Sequence, residues 1–162
     1  MFKIGDLAVY PAQGVGRVVA IESKQVVEHH VTFYVLRILS TDTIIRIPMV
    51  NAKSVGLRKV INEREVPRIY AILKSRQGGH EGSPTWNKRY RDYHNKLKSG
   101  SAFEIAEVLR DLFVLKSTKD LSFGERRMFD TAMSLLSSEL SIVLESAETK
   151  VQDQLRGLLQ AN

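Results

Sequence analysis

Along the first third of the chain, apolar positions alternate with polar ones or gather in short β-branched and aromatic blocks; beyond residue 61 they recur every three to four positions. The first pattern predicts strands. Leu7 to Tyr10 stops at Pro11, and "AQGVG" (Ala12 to Gly16) offers two glycines for a tight turn before a strand over Arg17 to Ile21. Val31 to Leu39 ("VTFYVLRIL") is rich in strand-forming residues, Ser40 to Thr43 is a polar turn, and Ile44 to Ile47 ("IIRI") ends at Pro48. Four or five strands in so few residues cannot cover both faces of an open sheet, so a small curled barrel of SH3-like type is expected, with no helix before residue 60.

The second pattern predicts helices. Ser101 with Glu104 ("SAFE") and Ser122 with Glu125 ("SFGE") are capping-box patterns. The first precedes Ile105, Val108, Leu109 and Leu112, the second Phe129, Ala132, Leu136 and Leu140, both at helical spacing. Further helices are expected over Val151 to Leu159 and over Glu65 to Lys74, where Val66, Ile69, Tyr70 and Leu73 share a face and Pro67 argues for a late start. Ser75 to Pro84 ("SRQGGHEGSP") reads as a loop. The expected fold class is α+β: a mostly-β domain over residues 1–60, then an all-α domain of four to five helices over 61–162.

The segment "SPTWNKRYRDY" (Ser83 to Tyr93) holds the one tryptophan of the chain. Ser83 and Pro84 read as N-cap and first helical position, which puts Trp86 in the first turn. Trp86, Tyr90, Tyr93 and Leu97 then form one narrow stripe, a pattern that most often marks a buried face. Lys88, Arg89, Arg91, Lys96 and Lys98 occupy the remaining faces against Asp92 alone. An aromatic side chain at the least enclosed end of a stripe, beside cations, also suits a wedge that props open duplex DNA.

Charge sharpens this reading. The 162 residues carry a net +6, distributed unevenly. Residues 1–60 hold eight Lys/Arg against four Asp/Glu, residues 61–101 nine against four, and residues 102–162 seven against ten. A cationic excess confined to the first two thirds points to a polyanionic partner, with the last region as packing scaffold. The chain has no cysteine, which excludes disulfide scaffolds and thiolate metal sites. Lys3 and Asp6 interrupt the N-terminal segment, so it reads as no signal peptide, and no apolar run reaches the ~18 residues of a membrane span. A soluble protein without membrane contact is expected.

Enzyme chemistry finds no support. His29 and His30 are adjacent, and His80 and His94 lack carboxylates at a useful spacing, so all four read as surface residues without metal. "GVG" at Gly14 to Gly16 lacks the third glycine and following helix of a phosphate loop. No catalytic residues, cofactor or small-molecule substrate are expected. An RNA- or ribosome-binding protein is an alternative, since small barrels with basic helices occur there too.

The blocks "KIGDLAVYPAQGVGRVVAIE", "FYVLRIL", "IRIP", "SVGLR", "TWNKRY", "FEIAEVLRDL" and "LSFGERRMFDTA" stand in the order found in the CarD/CdnL family of bacterial transcription regulators, which the chain resembles over essentially its whole length. Residues 1–60 are also similar to the polymerase-interacting module of the transcription-repair coupling factor, a Tudor-like barrel. The resemblance implies a two-domain regulator whose barrel docks on the β subunit of RNA polymerase and whose helical domain reaches promoter DNA; a cytoplasmic monomer is expected. Contact there would be in the minor groove without base specificity, stabilising the open complex. It places the DNA wedge on Trp86 with Lys88, Arg89 and Arg91 beside it, and the polymerase contact on Arg46, Ile47 and Pro48, with Lys24 where some relatives carry arginine. Pro67 and the Gly-rich loop at Gln77 to Gly82 depart from the family pattern and leave the interdomain angle open.

Overall fold

The computed structural model describes residues 1–75 and 86–161, and of Trp86 the backbone only. The Ser83 cap, Pro84 and the body of the Gly-rich loop lie outside the described residues. The chain divides into two compact units, Met1–Val60 and Ile61–Asn162. The fold class is α+β, as the sequence pattern predicts.

In the first unit the strands are β1 (Leu7–Tyr10), β2 (Gly14–Val26), β3 (His29–Ile38), β4 (Ile44–Pro48) and β5 (Arg58–Lys59). They form one antiparallel sheet in the order β4-β3-β2-β1-β5. The register slips between Val18 and Ala20, a bulge that bends the long strand β2. The two turn glycines divide their work. Gly14 takes φ +96° at the turn, whereas Gly16 permits close packing, since a Cβ there would stand 2.7 Å from Leu36 Cγ. Ala8, Val18, Tyr34, Leu36, Ile38 and Ile47 make the core, and the ring of Phe2 meets Tyr34 edge-on at 5.7 Å. One expectation fails here: Pro48 is followed by a 3-10 turn, Met49–Asn51, so the first unit is not free of helix. Proline suits that position because its ring fixes φ and its missing N–H would have no helical partner. The turn leads to Ala52, which is buried in the same core.

The second unit holds α1 (Val66–Lys74), α2 (Trp86–Ser99), α3 (Ala102–Lys116), α4 (Phe123–Val143) and α5 (Glu148–Gln160). Pro67 does not delay α1. It occupies the first turn, where its lost donor costs nothing, and a 3-10 turn, Glu63–Glu65, capped by Asn62, leads into the helix. The two SxxE patterns also differ. Ser122 and Glu125 form the full reciprocal box, while Ser101 only accepts from the Glu104 N–H, and the Ser101 N–H is satisfied by Ser99 Oγ. Ile105, Val108, Leu109 and Leu112 are all buried, as are Ala132, Leu136 and Leu140, with Phe129 half-buried beside them. Ile69, Leu73, Val151, Leu155 and Leu159 complete a single core.

Candidate partner-binding strand and nucleic-acid interface

In the sheet, β4 bonds to β3 on one side and closes the order at that edge. Among the described residues no strand pairs with its other row of backbone donors and acceptors, the hallmark of an edge strand. Alternation of side chains along β4 puts Arg46 and Pro48 on one face and Ile47 on the other. Arg46 is exposed and stands 3.6 Å from Glu22, itself part-exposed, a pair too solvated to hold the guanidinium firmly. Ile47, opposite Tyr34, is buried in the core, so its side chain cannot meet a partner, which corrects the sequence reading. Lys24 is exposed on β2 opposite Val31, and alternation along β2 and across the register sets it on the same face as Arg46. Three of the four residues expected at a protein contact thus share one sheet face. The signal was alternation about Arg46, which sets Ile45 and Ile47 together on the face away from the cation.

In the helical unit, the α2 stripe is buried at Tyr93 and Leu97 and opens at Tyr90, nearer its N-terminus. Tyr93 is 2% exposed and Leu97 is buried with it, whereas Tyr90, expected as an anchor, is 37% exposed. The Tyr90 ring stacks on His94 at 6.1 Å between centroids. Burial, and then the charge of Asp111, pushes the Tyr93 hydroxyl well above the usual tyrosine range, so it stays neutral inside the bundle. Trp86 opens the helix one turn before Tyr90.

The cations of α2 are not equivalent. Lys88 and Arg91 are exposed. Lys96 bonds Glu107 on α3 at 2.8 Å. Arg89 turns inward: its side chain is 14% exposed and reaches within 3.4 Å of Glu125, which is 2% exposed. Glu125 also accepts from the Ser122 N–H at 3.0 Å and lies 3.7 Å from Lys119. Burial pushes the Glu125 carboxyl up, but the Ser122 hydrogen bonds and the charges of Lys119 and Arg89 outweigh it and hold the group below its ordinary value. Lys88 and Arg91 are therefore presented to solvent, and Arg89 stands behind them.

Sequence reasoning treated residues 102–162 as scaffold and missed a second cluster. Phe123, the first residue of α4, is 78% exposed, with the Arg127 guanidinium 5.8 Å from its ring centroid. This cluster adjoins α2, since a Cβ on Gly124 would come within 3.4 Å of the Tyr90 ring. The signal was present in "SFGERR", where a large aromatic occupies the first helical position outside the apolar stripe. Among the described residues there is no group of three side chains able to hold a metal ion, and no helix is long and apolar enough to cross a membrane.

Comparison with known proteins matches both units. Residues 2–61 fit the CarD-like/TRCF RID domain and residues 68–156 the CarD C-terminal domain. YdeB of Bacillus subtilis (strain 168), named as a candidate transcription factor, is 34% identical over 152 residues, covering 94% of this chain and 98% of that protein. The solved structure of CdnLNt from Myxococcus xanthus is 52% identical, covering 39% of this chain and 89% of that one, with a TM-score of 0.34. With two family models spanning nearly its whole length in order, and a relative alike from end to end, the chain belongs to the CarD family.

Proposed function

We propose that this chain is a cytoplasmic transcription regulator that binds RNA polymerase, docks on its β subunit through β4, and stabilises the promoter open complex by wedging Trp86 into the minor groove at the upstream edge of the melted DNA. The observation that carries this reading is the graded burial of α2. Tyr93 and Leu97 fix the helix to the bundle, while its first turns present Lys88, Arg91 and the half-open Tyr90 beside Trp86.

On the docking side, an edge strand adds to a partner sheet through main-chain hydrogen bonds, and Arg46, Pro48 and Lys24 supply specificity from one face. Pro48 limits how far the pairing extends. On the DNA side, Lys88 and Arg91 hold backbone phosphates, and a few such contacts bind only weakly and in a salt-dependent manner. Tethering to polymerase supplies the effective concentration that they lack. One base-pair step of stacking is worth about 1.4 kcal/mol, so a ring that takes the place of one step lengthens open-complex lifetime about tenfold. Flexible pyrimidine–purine steps unstack most cheaply and are the preferred sites.

The test compares two variants with the parent protein on purified polymerase and promoter DNA. Trp86→Ala should leave folding and co-purification with polymerase intact while cutting the lifetime gain about tenfold. Arg46→Glu should instead abolish co-purification. An unchanged lifetime with Trp86→Ala sinks the wedge, and normal recovery of Arg46→Glu with the β subunit sinks the docking strand.

A further inference from the structure

We infer that Glu125 is a positioning residue for the DNA face: its buried carboxylate latches α2 through Arg89 and so fixes the turn that carries Trp86. The inference rests on the DNA reading above and adds to it the part of the scaffold that holds the first turn of α2.

Three segments converge on this one side chain. Oε1 accepts the Ser122 N–H at 3.0 Å, closing the cap of α4, and faces Lys119 of the α3–α4 connection at 3.7 Å. Oε2 faces the Arg89 Nη2 of α2 at 3.4 Å. The two oxygens therefore do separate work, one for α4 and one for α2. The apolar anchors of α2, Tyr93 and Leu97, both lie beyond its first turn, whereas Arg89 sits one residue before Tyr90. With Glu125 only 2% exposed, water competes poorly for this pair, and a hydrogen bond to a charged group counts for more than one at the surface. The same contact explains why a cation in the first turn of a basic helix is withdrawn from solvent.

Glutamine at position 125 separates the two tasks. Its carbonyl can still accept from Ser122, but its amide adds N–H donors where the guanidinium needs an acceptor. In the full-length protein, Glu125→Gln should speed amide hydrogen exchange over residues 87–93 roughly tenfold, the worth of one charge-assisted hydrogen bond. Exchange at Leu109 and Leu136 should stay as it was. Open-complex lifetime with purified polymerase should fall to that of Trp86→Ala, and polymerase co-purification should not change. The double variant Arg89→Met/Glu125→Gln, which leaves no buried charge stranded, should behave like the single one.

Three results would overturn the latch: parental exchange and lifetime in both variants, recovery of both in the double variant, or faster exchange throughout the bundle, which would make Glu125 a general stability residue. The exchange measurement requires neither polymerase nor DNA. It therefore judges the latch even where Trp86→Ala has shown the wedge itself to be wrong.

Discussion

A carboxylate sealed among donors titrates differently from one in water, and Glu125 makes that difference measurable. Its carboxyl is pushed up by burial yet held below the ordinary value of 4.5 by Ser122, Lys119 and Arg89. A lowered acid contributes stability that is complete above its unfolded value and is lost as pH falls through the folded one. The hold on α2 should therefore weaken from about pH 4.5 downward, and Glu125→Gln, which cannot titrate, should remove that part of the pH dependence. Hydrogen exchange over residues 87–93, corrected for the intrinsic rate at each pH, checks this. Equal pH dependence in the two proteins would show that the Glu125 carboxylate does not hold α2. At this scale the sequence was only partly informative. "IIRIP" showed Arg46 between isoleucines, and alternation sets both isoleucines on one face, but that this face packs on a core depended on Tyr34, in another strand across the ladder.

At the scale of elements, the two SxxE starts offer a controlled comparison. Ser122 and Glu125 satisfy each other's backbone at 3.2 and 3.0 Å, whereas Ser101 makes a single 3.4 Å contact with Glu104. Ser122→Ala should cost about 1 kcal/mol, near the centre of measured cap losses, and Ser101→Ala clearly less. Chemical denaturation of the two variants gives the ranking directly, and an equal cost would mean that the shorter Ser122 contact adds nothing over the longer one at Ser101. Helices and strands were legible because periodicity is a local property of the chain, and the buried sets of α3 and α4 follow it closely. The errors came where a boundary depended on something beyond the pattern. Pro67 read as an obstacle until Asn62 and the turn after it supplied an entry that needs no donor from proline. The turn at Met49–Asn51 lacks any period, being three residues long. Tyr90 belonged to the stripe by spacing but not by burial, because the bundle covers α2 from its C-terminal end. Arg89 was indistinguishable from Lys88 and Arg91 in sequence, since its partner lies in another helix.

For the whole molecule, the division at Val60 and Ile61 carries a prediction about how function is shared. Each unit has its own apolar core, one built on Tyr34, Leu36 and Ile38 and the other on Leu109, Leu136 and Leu155. Such units fold independently unless their contact is extensive. Residues 1–60 expressed alone should co-purify with polymerase and leave open-complex lifetime unchanged, because under the proposed function they carry the docking strand but not Trp86. Residues 61–162 alone should bind DNA weakly, with an affinity that drops steeply as salt is raised. Mixing the two fragments should not restore the lifetime effect at concentrations where the intact chain saturates. Linkage turns the second encounter into an intramolecular one, and for short flexible connections the effective concentration is on the order of millimolar. Added in that range, the helical fragment should begin to lengthen the lifetime even on polymerase that carries no barrel fragment, since the wedge needs proximity rather than an activated partner. Full rescue by the helical fragment at micromolar concentration would contradict this. It would mean that the helical unit finds the melted edge unaided and that the barrel is not its tether.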